Sequence, residues 1–527
     1  MLVSNGVPRK KILKNIASTS IKQSLQETHS PASQEPSLSF QLMTRAEPPA
    51  LVIATIQSLL AVKAPQDEII IIDNNNTATS LYRPLAAFCA SLDPTQQVHF
   101  YHIDAVAGFK AGALNLALGL MNPNCSYLVV VDSDYQALPQ ARSSIADAIK
   151  CHPEHSLLQF PQFYRNGGQV DTQSELNHYF NHHLYRPFNQ DRALSTGTYA
   201  VIRRSALLNL GGWSGASITE DAQMGVLMHQ KGFHSKFIPQ VIATGLLPNT
   251  LNDLMSQRRR WIYGNMQVLQ DYAAKPFFLS AKESDSPLRV SERRAYTRAH
   301  LSQLSAWINF TGFFIFLQIC ALLVIGISLF NRHLDMSVLT PLYLVYTSYA
   351  IFLGRRLWAY CHDESPLNKQ IDKNHQTSTH TKLRAWLMHL NFWELGALSW
   401  LPVLWGRTKP FICTPKQEFI QTSHSVQLAN IAALPKLLLT LNLITVICVA
   451  PFSPLYSPIL FFCAVTVCVL KLAAAKVAMD NFIATEQKAP SISTKSKPAI
   501  TTLHKQIKPI KTADITAVFE DKKTINY

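Results

Sequence analysis

The sequence predicts a doubly wound, mostly parallel α/β sheet followed by a bundle of transmembrane helices. Three observations predict it. Short apolar strands alternate with helical stretches from about residue 36 to 245. Acidic residues close two of those strands, where such sheets bind ligands. The second half carries charge-free apolar runs of bilayer-spanning length.

In chain order, LSFQLM, EIIIID, VHFYHID and YLVVVDSD read as strands, and PALVIATIQSLLAV and KAGALNLALGL read as helices. Alternation of this kind argues for a parallel sheet with helices packed on it. Asp73 closes the second strand, and Asp132 and Asp134 close the fourth. Farther on, TLNDLMSQRRRWIYGNMQVLQDY reads as a helix.

Ser305–Phe330 holds no charge and is long enough to cross a bilayer. Val338–Gly354 is a shorter charge-free run, followed by Arg355 and Arg356, which can snorkel. Leu437–Leu470 is too long for one pass and contains Pro451, Pro454 and Pro458, so it reads as two helices joined by a turn. Residues 383–406 are ambiguous, and His389, Asn391 and Glu394 favour an interfacial helix over a span.

The expected organisation is therefore a loose polar N-terminus (1–35), an α/β domain with interfacial helices (36–300), a membrane region of about four spans (301–475) and a polar basic tail (476–527). RVSERRAYTR before the first span, and Lys369, Lys373, Lys382 and Arg384 after the second, put the α/β domain and tail on the cytoplasmic side. The polar start has no apolar core for a signal peptide, which agrees with a cytoplasmic domain.

Composition narrows the partners. Hydrophobic residues make up 47% and charged residues 15% of a chain with formal charge +15. That excess suits an anionic bilayer face or phosphate-bearing ligands. No Lys/Arg tract is interleaved with aromatics, which argues against nucleic acid. None of the 9 cysteines forms a CxxC pair, so neither a zinc site nor a disulfide framework is indicated.

Four segments carry chemistry. In VVVDSDY, Asp132 and Asp134 present hard oxygens that a divalent cation and a diphosphate could share. In SITEDAQMGVLMHQKG, Ser217 or Thr219 can cap a helix that Gly232 ends. Glu220 and Asp221 then lie in its first turn, and an ionised carboxylate there can act as a general base. In the later helix Gln257, Arg260 and Trp261 stand at i, i+3 and i+4 and share a face. A guanidinium can fork onto a diphosphate, and an indole can stack on a sugar. Arg258 and Arg259 should point elsewhere, towards lipid headgroups. Lys110 follows Gly108 and Phe109 at a strand-to-helix turn suited to nucleotide phosphate or to plain surface exposure.

The order Asp73, DSD, TED, QRRRW resembles the signature of the inverting family 2 membrane glycosyltransferases, which include cellulose, hyaluronan and chitin synthases. GFKAGALN, GGWSG and FICTPK resemble further segments of that family, and the wording is similar to bacterial β-(1,3)-glucan synthase-like and cellulose synthase-like members. The resemblance covers roughly residues 36–475. It implies a GT-A-type fold, a UDP-sugar donor, a glycan acceptor and Mg²⁺ or Mn²⁺. By residue, it implies that Glu47, Asp73 and Lys110 meet the nucleotide and that Asp132 and Asp134 hold metal and diphosphate. It makes Asp221 the base, Gln257 and Trp261 the acceptor grip, and Arg260 a diphosphate ligand. Thr414 and Lys416, in a gating loop near 407–417, would close over the nucleotide.

The resemblance also implies an integral protein of a bacterial inner membrane, transferring glucose to a growing β-linked polysaccharide with inversion. Asn74 stands where the family has a second Asp, Cys413 where it has Val, and no leading transmembrane helices are present. A partner subunit completing an export channel is therefore part of the expectation. Single transfer to a lipid acceptor, or a non-catalytic membrane subunit, are the competing readings.

Overall fold

The computed structural model describes residues 35–482 except 104–105, 166–169, 275–288, 332–334, 364–378 and 407–423. Thr414, Lys416 and most of the basic tail lie outside the described residues.

The first half folds as the strand and helix patterns predict. β1 (Leu38–Thr44), α1 (Pro49–Val62), β2 (Glu68–Asp73), α2 (Thr79–Ala90), β3 (Val98–His102), α3 (Phe109–Leu120) and β4 (Tyr127–Asp132) follow one another. β1 pairs in parallel with both β2 and β4, and β2 with β3. Both faces are covered at β2 and β4, which is why those strands read as nearly continuous apolar runs. Phe40, Leu42, Ile69, Ile71, Val129 and Val131 pack with Val52, Ile56 and Leu59 of α1. Ile70, Ile72, Leu128 and Val130 pack on the other face with Ala113, Leu114 and Ala117 of α3. The sheet is thus doubly wound.

The chain continues through β5 (Gln136–Ala137), α4 (Ala141–Cys151), β6 (His155–Gln159), α5 (Val170–Tyr179), β7 (Ala200–Arg203), α6 (Arg204–Leu210), α7 (Glu220–Gln230), β8 (His234–Phe237) and β9 (Ala243–Thr244). The main sheet has the order β3-β2-β1-β4-β7-β6-β8, and β5 pairs with β9. β7 runs antiparallel to β4 and β6, while β6 and β8 are parallel. The sheet is mixed but mostly parallel.

α3 starts on a tight approach. A Cβ at Gly112 would lie 1.8 Å from the Ala107 carbonyl oxygen. We expect Gly112→Ala to lower stability by about 1–3 kcal/mol, because backbone must move to admit the methyl. A lower thermal unfolding midpoint in detergent is the check.

The helices α8 (Leu251–Ala274) and α9 (Val290–Leu304) lead to α10 (Gly312–Phe330) and α11 (Thr340–Cys361). After them come α12 (Thr379–Leu390), α13 (Trp393–Leu398), α14 (Leu401–Leu404), α15 (His424–Ala433), α16 (Leu437–Cys448) and α17 (Pro458–Phe482). Among the described residues, three helical stretches, Gly312–Phe330, Met336–Cys361 and Pro458–Phe482, are long and apolar enough to cross a membrane. α15 and α16 together pass the same test but meet at a 64° bend. Phe313, Phe316, Leu323, Val324 and Ile327 of α10 face outward, as lipid contact requires. Inward, Gln318 donates to Thr445 and accepts from Tyr349, and Tyr346 donates to Asn442, tying α10, α11 and α16 by polar bonds that apolar surroundings favour. The structure joins an α/β domain to a set of apolar helices compatible with a transmembrane bundle.

The apolar run Ser305–Phe330 becomes helical only at Gly312. Asn309 explains the delay, since its amide donates to the Trp393 carbonyl and its N–H to the Gly396 carbonyl. Residues 383–406 form no single helix but pieces broken near Asn391 and Ser399. One piece is anchored by Glu394, which accepts the Leu437 and Leu438 N–H groups at the start of α16 and pairs with Lys471 at 3.0 Å. As expected, Leu437–Leu470 divides at its prolines into α16 and α17.

Candidate active site

A cavity opens at the carboxyl ends of β1, β2 and β4. Thr44, Arg45 and Glu47 line it after β1, Ile72 and Asn74 at β2, and Asp132, Ser133, Asp134 and Tyr135 after β4. Lys110 enters from α3, Glu220 and Asp221 from α7, and Gln257, Arg260 and Trp261 from α8. Residues spread over more than a hundred positions thus share one wall. The end of β4 supplies Asp132 and Asp134, the start of α7 supplies Glu220 and Asp221, and one face of α8 supplies the residues at i, i+3 and i+4.

The acidic groups differ in their surroundings. Lys110 Nζ lies 2.6 Å from Asp132 Oδ1. Burial alone would favour the neutral amine, but the carboxylates of Asp132, Glu220 and Asp221 outweigh it and hold Lys110 charged. Asp134 is buried, and its Oδ2 accepts the Leu246 N–H at 2.8 Å. Asp132 is held from the main chain too, its N–H donating to Thr198 Oγ1 at 3.1 Å. The two side chains offer hard carboxylate oxygens at one strand end facing the cavity, a donor set that fits Mg²⁺ or Mn²⁺.

Asp221 sits across from this pair. A Cβ at Gly197, whose φ is +97°, would lie 3.2 Å from Asp221 Oδ2 and 3.9 Å from Lys110 Nζ, so both charges converge over that glycine. Burial raises the Asp221 carboxyl above the ordinary range, and Lys110 partly opposes that. Glu220 is also raised, by burial and then by Asp221. Thr219 precedes α7, yet neither candidate hydroxyl caps the helix; Ser217 Oγ accepts the Thr219 N–H at 3.2 Å. Ser217 also donates to the Gly264 carbonyl, and the Ile218 N–H donates to Gln267, so α8 fixes the turn that carries Glu220 and Asp221.

Other expected residues fall differently. Glu47 lines the cavity and accepts from Thr44 Oγ1 and the Arg45 N–H, bracing the loop after β1. Asp73 is fully buried and does not line the cavity, although its neighbours Ile72 and Asn74 do. Its carboxylate is taken by Asn75 and by His102 Nδ1 at 2.6 Å.

Arg258 corrects the sequence reading outright. It does not face lipid headgroups but is fully buried, with Nη2 at 2.8 Å from Glu175 Oε2. Its guanidinium lies 4.3 Å over the Trp261 ring and 5.3 Å over Trp307. Trp307 Nε1 donates to the same carboxylate at 2.9 Å. Behind Trp261 a second, smaller cavity continues past Tyr179, Leu194, Gln303 and Trp307. Glu175, Tyr179 and Trp307 escaped sequence reasoning because nothing local distinguishes them.

Two family models match this chain: "Glycosyl transferase family 2" over residues 42–211 and "Glycosyl transferase family group 2" over residues 127–359. Together they take in more than half of the chain, including Asp73, the DSD and TED segments and QRRRW. The chain belongs to the family 2 glycosyltransferases. It is related to cellulose synthase: a cellulose synthase 2 of Novacetimonas hansenii is 30% identical over 192 residues, 33% of this chain and 12% of that protein. A poly-β-1,6-N-acetyl-D-glucosamine synthase of Staphylococcus aureus is 25% identical over 245 residues, 45% of this chain and 55% of that one. This glycosyltransferase thus spans about half or less of the curated relatives it matches. Among solved structures, a Pyrobaculum calidifontis mannosyltransferase in complex with GDP-Man and Mn²⁺ is 14% identical with a TM-score of 0.41, covering 75% of this chain and 96% of that one.

Proposed function

We propose that this glycosyltransferase moves a hexose, with glucose the first candidate, from a UDP donor to the end of a growing β-linked polysaccharide with inversion. One observation carries the reading: a single cavity gathers Lys110, Asp132, Asp134, Asp221, Gln257, Arg260 and Trp261. Two relatives named for polysaccharide synthesis support the substrate class.

In the proposed reaction Asp221 takes the proton of the acceptor hydroxyl as that oxygen attacks the anomeric carbon. The bond to the diphosphate breaks on the opposite face, so an α-linked donor yields a β-linked product. Lys110 and Arg260 hold the departing diphosphate by charge, and Gln257 and Trp261 hold the acceptor sugar. Asp132 and Asp134 would hold Mg²⁺ or Mn²⁺, whose charge would offset that of the leaving diphosphate. Glu47 and Asp73 act from the nucleotide side, Asp73 by fixing Asn75 and thereby the loop after β1, since Asn75 Oδ1 accepts the Ala46 N–H at 2.6 Å. Thr414 and Lys416, outside the described residues, complete the proposed site over the nucleotide.

The same proposal places the catalytic domain on the cytoplasmic face of a bacterial inner membrane, supported by the basic residues flanking the spans. A partner subunit would complete any export path for the polymer. The test is nucleotide diphosphate release from a panel of UDP-sugars by detergent-purified protein, with product sizing. We expect one donor to be turned over and polymer to accumulate. Chelation should abolish release, and added Mg²⁺ or Mn²⁺ should restore it. Release with a lipid acceptor and no polymer would replace polymerisation by single transfer.

A further inference from the structure

We infer that the turn between α4 and β6 is a binding site for a zinc-class divalent ion, built from His152, Glu154 and His155 and separate from the sugar-transfer cavity. One ligand atom from each of the three lies within 4.8 Å of the other two. That spacing lets a single ion reach all three with little movement. Two imidazoles and a carboxylate are a ligand set that borderline ions such as Zn²⁺ prefer, whereas Mg²⁺ selects oxygen.

The turn is built to hold this arrangement. The His152 N–H donates to the Ala148 carbonyl at the end of α4, and the His155 N–H returns to the His152 carbonyl at 3.1 Å. Pro153 stiffens the reversal, and Arg203 on β7 donates to the Pro153 carbonyl and, at 3.5 Å, to that of His155. The sequence from Cys151 is CHPEH, so an exposed thiol adjoins the same turn.

His155 supplies the observation that points to a ligand. Only 8% exposed, it has an Nδ1 buried without a hydrogen bond, although Glu154 Oε1 stands 2.8 Å away. Its other nitrogen, Nε2, faces Asp191 Oδ1 at 3.3 Å. A metal-bound imidazole characteristically gives its second nitrogen to a carboxylate, which fixes the ring and makes it a better donor. Asp191 is itself held by Lys236 Nζ at 2.9 Å.

Topology separates this site from the transfer cavity. β6 runs antiparallel to β7, which runs antiparallel to β4, so β6 and β4 point the same way. His155 opens β6, while Asp132 closes β4. The two sites therefore sit at opposite ends of the sheet.

The test uses the detergent-purified full chain carrying Asp132→Asn and Asp134→Asn, which removes the DSD carboxylates as competing ligands. Zn²⁺ is titrated calorimetrically, and Co²⁺ serves as a spectroscopic probe. We expect one ion bound, a visible Co²⁺ band, and a higher unfolding temperature with Zn²⁺. His152→Ala with His155→Ala should abolish the band and weaken Zn²⁺ at least about 100-fold, and Asp191→Asn should weaken it about 10-fold. The exposed Glu154→Gln guards against misfolding as the cause, and should also weaken Zn²⁺ while the protein without metal melts unchanged. Zn²⁺ affinity unaltered by the histidine pair and by Glu154→Gln, or no Zn²⁺ bound by the parent, would overturn the site.

Discussion

Asp221→Asn is expected to lower kcat for sugar transfer by about 10²–10⁴ while leaving donor KM within a few-fold of the parent. Asn keeps the shape of the side chain but cannot accept the acceptor's proton. The donor side is spared because Lys110, which faces both carboxylates, keeps its 2.6 Å contact with Asp132. The pH profile gives a second readout. Burial raises the Asp221 carboxyl, so it takes up its proton at a higher pH than an exposed aspartate would. A base must be unprotonated, so parent kcat/KM should fall as pH drops through that raised value, and the residual rate of the variant should lack this acid limb. Nucleotide diphosphate release measured from pH 5 to 8, with donor binding by calorimetry, checks both. A variant turning over at the parental rate would remove Asp221 as base.

How far the sequence could carry this reading depends on whether the information was local. β2 and β4 were legible because both faces are buried and each is a continuous apolar run, EIIIID and YLVVVD. β6, β7 and β8 were harder to read: HSLLQ, AVIR and HSKF are short and mixed, and only pairing in the sheet makes them strands. Gln257, Arg260 and Trp261 were legible from helical spacing alone, and all three line the cavity. Arg258 was misread because a run of arginines near a membrane looks like a solvated face. Its partner Glu175 is 83 positions away, on α5, and no local pattern announces it. Asp73 was found by its place at a strand end, but its burial under Asn75 and His102 depends on contacts across the sheet.

The second large effect concerns that buried pair. Arg258→Met is expected to destabilise the protein by about 3–5 kcal/mol, because it strands the Glu175 carboxylate without its counter-charge. Burial alone would push the Glu175 carboxyl up, but Arg258, His389 and Trp307 hold it down at about 2. In the parent this depressed value contributes stability above the unfolded carboxylate pKa, and that contribution is lost as pH falls towards 2. Without Arg258 the balance reverses: burial then dominates, the folded pKa rises above the unfolded one, and stability falls as pH rises through the carboxylate range. The variant should therefore melt higher at pH 5 than at pH 8, a trend the Glu175–Arg258 linkage in the parent opposes. Replacing both residues, Arg258→Met with Glu175→Met, should recover most of the loss, since an apolar pair leaves no buried charge. Trp261 would nevertheless lose the guanidinium that lies 4.3 Å over its ring. A stable double variant with a weakened acceptor KM would separate the two duties of Arg258, holding the fold and backing the indole. A single variant as stable as the parent at pH 8 would show that the pair does not hold the fold.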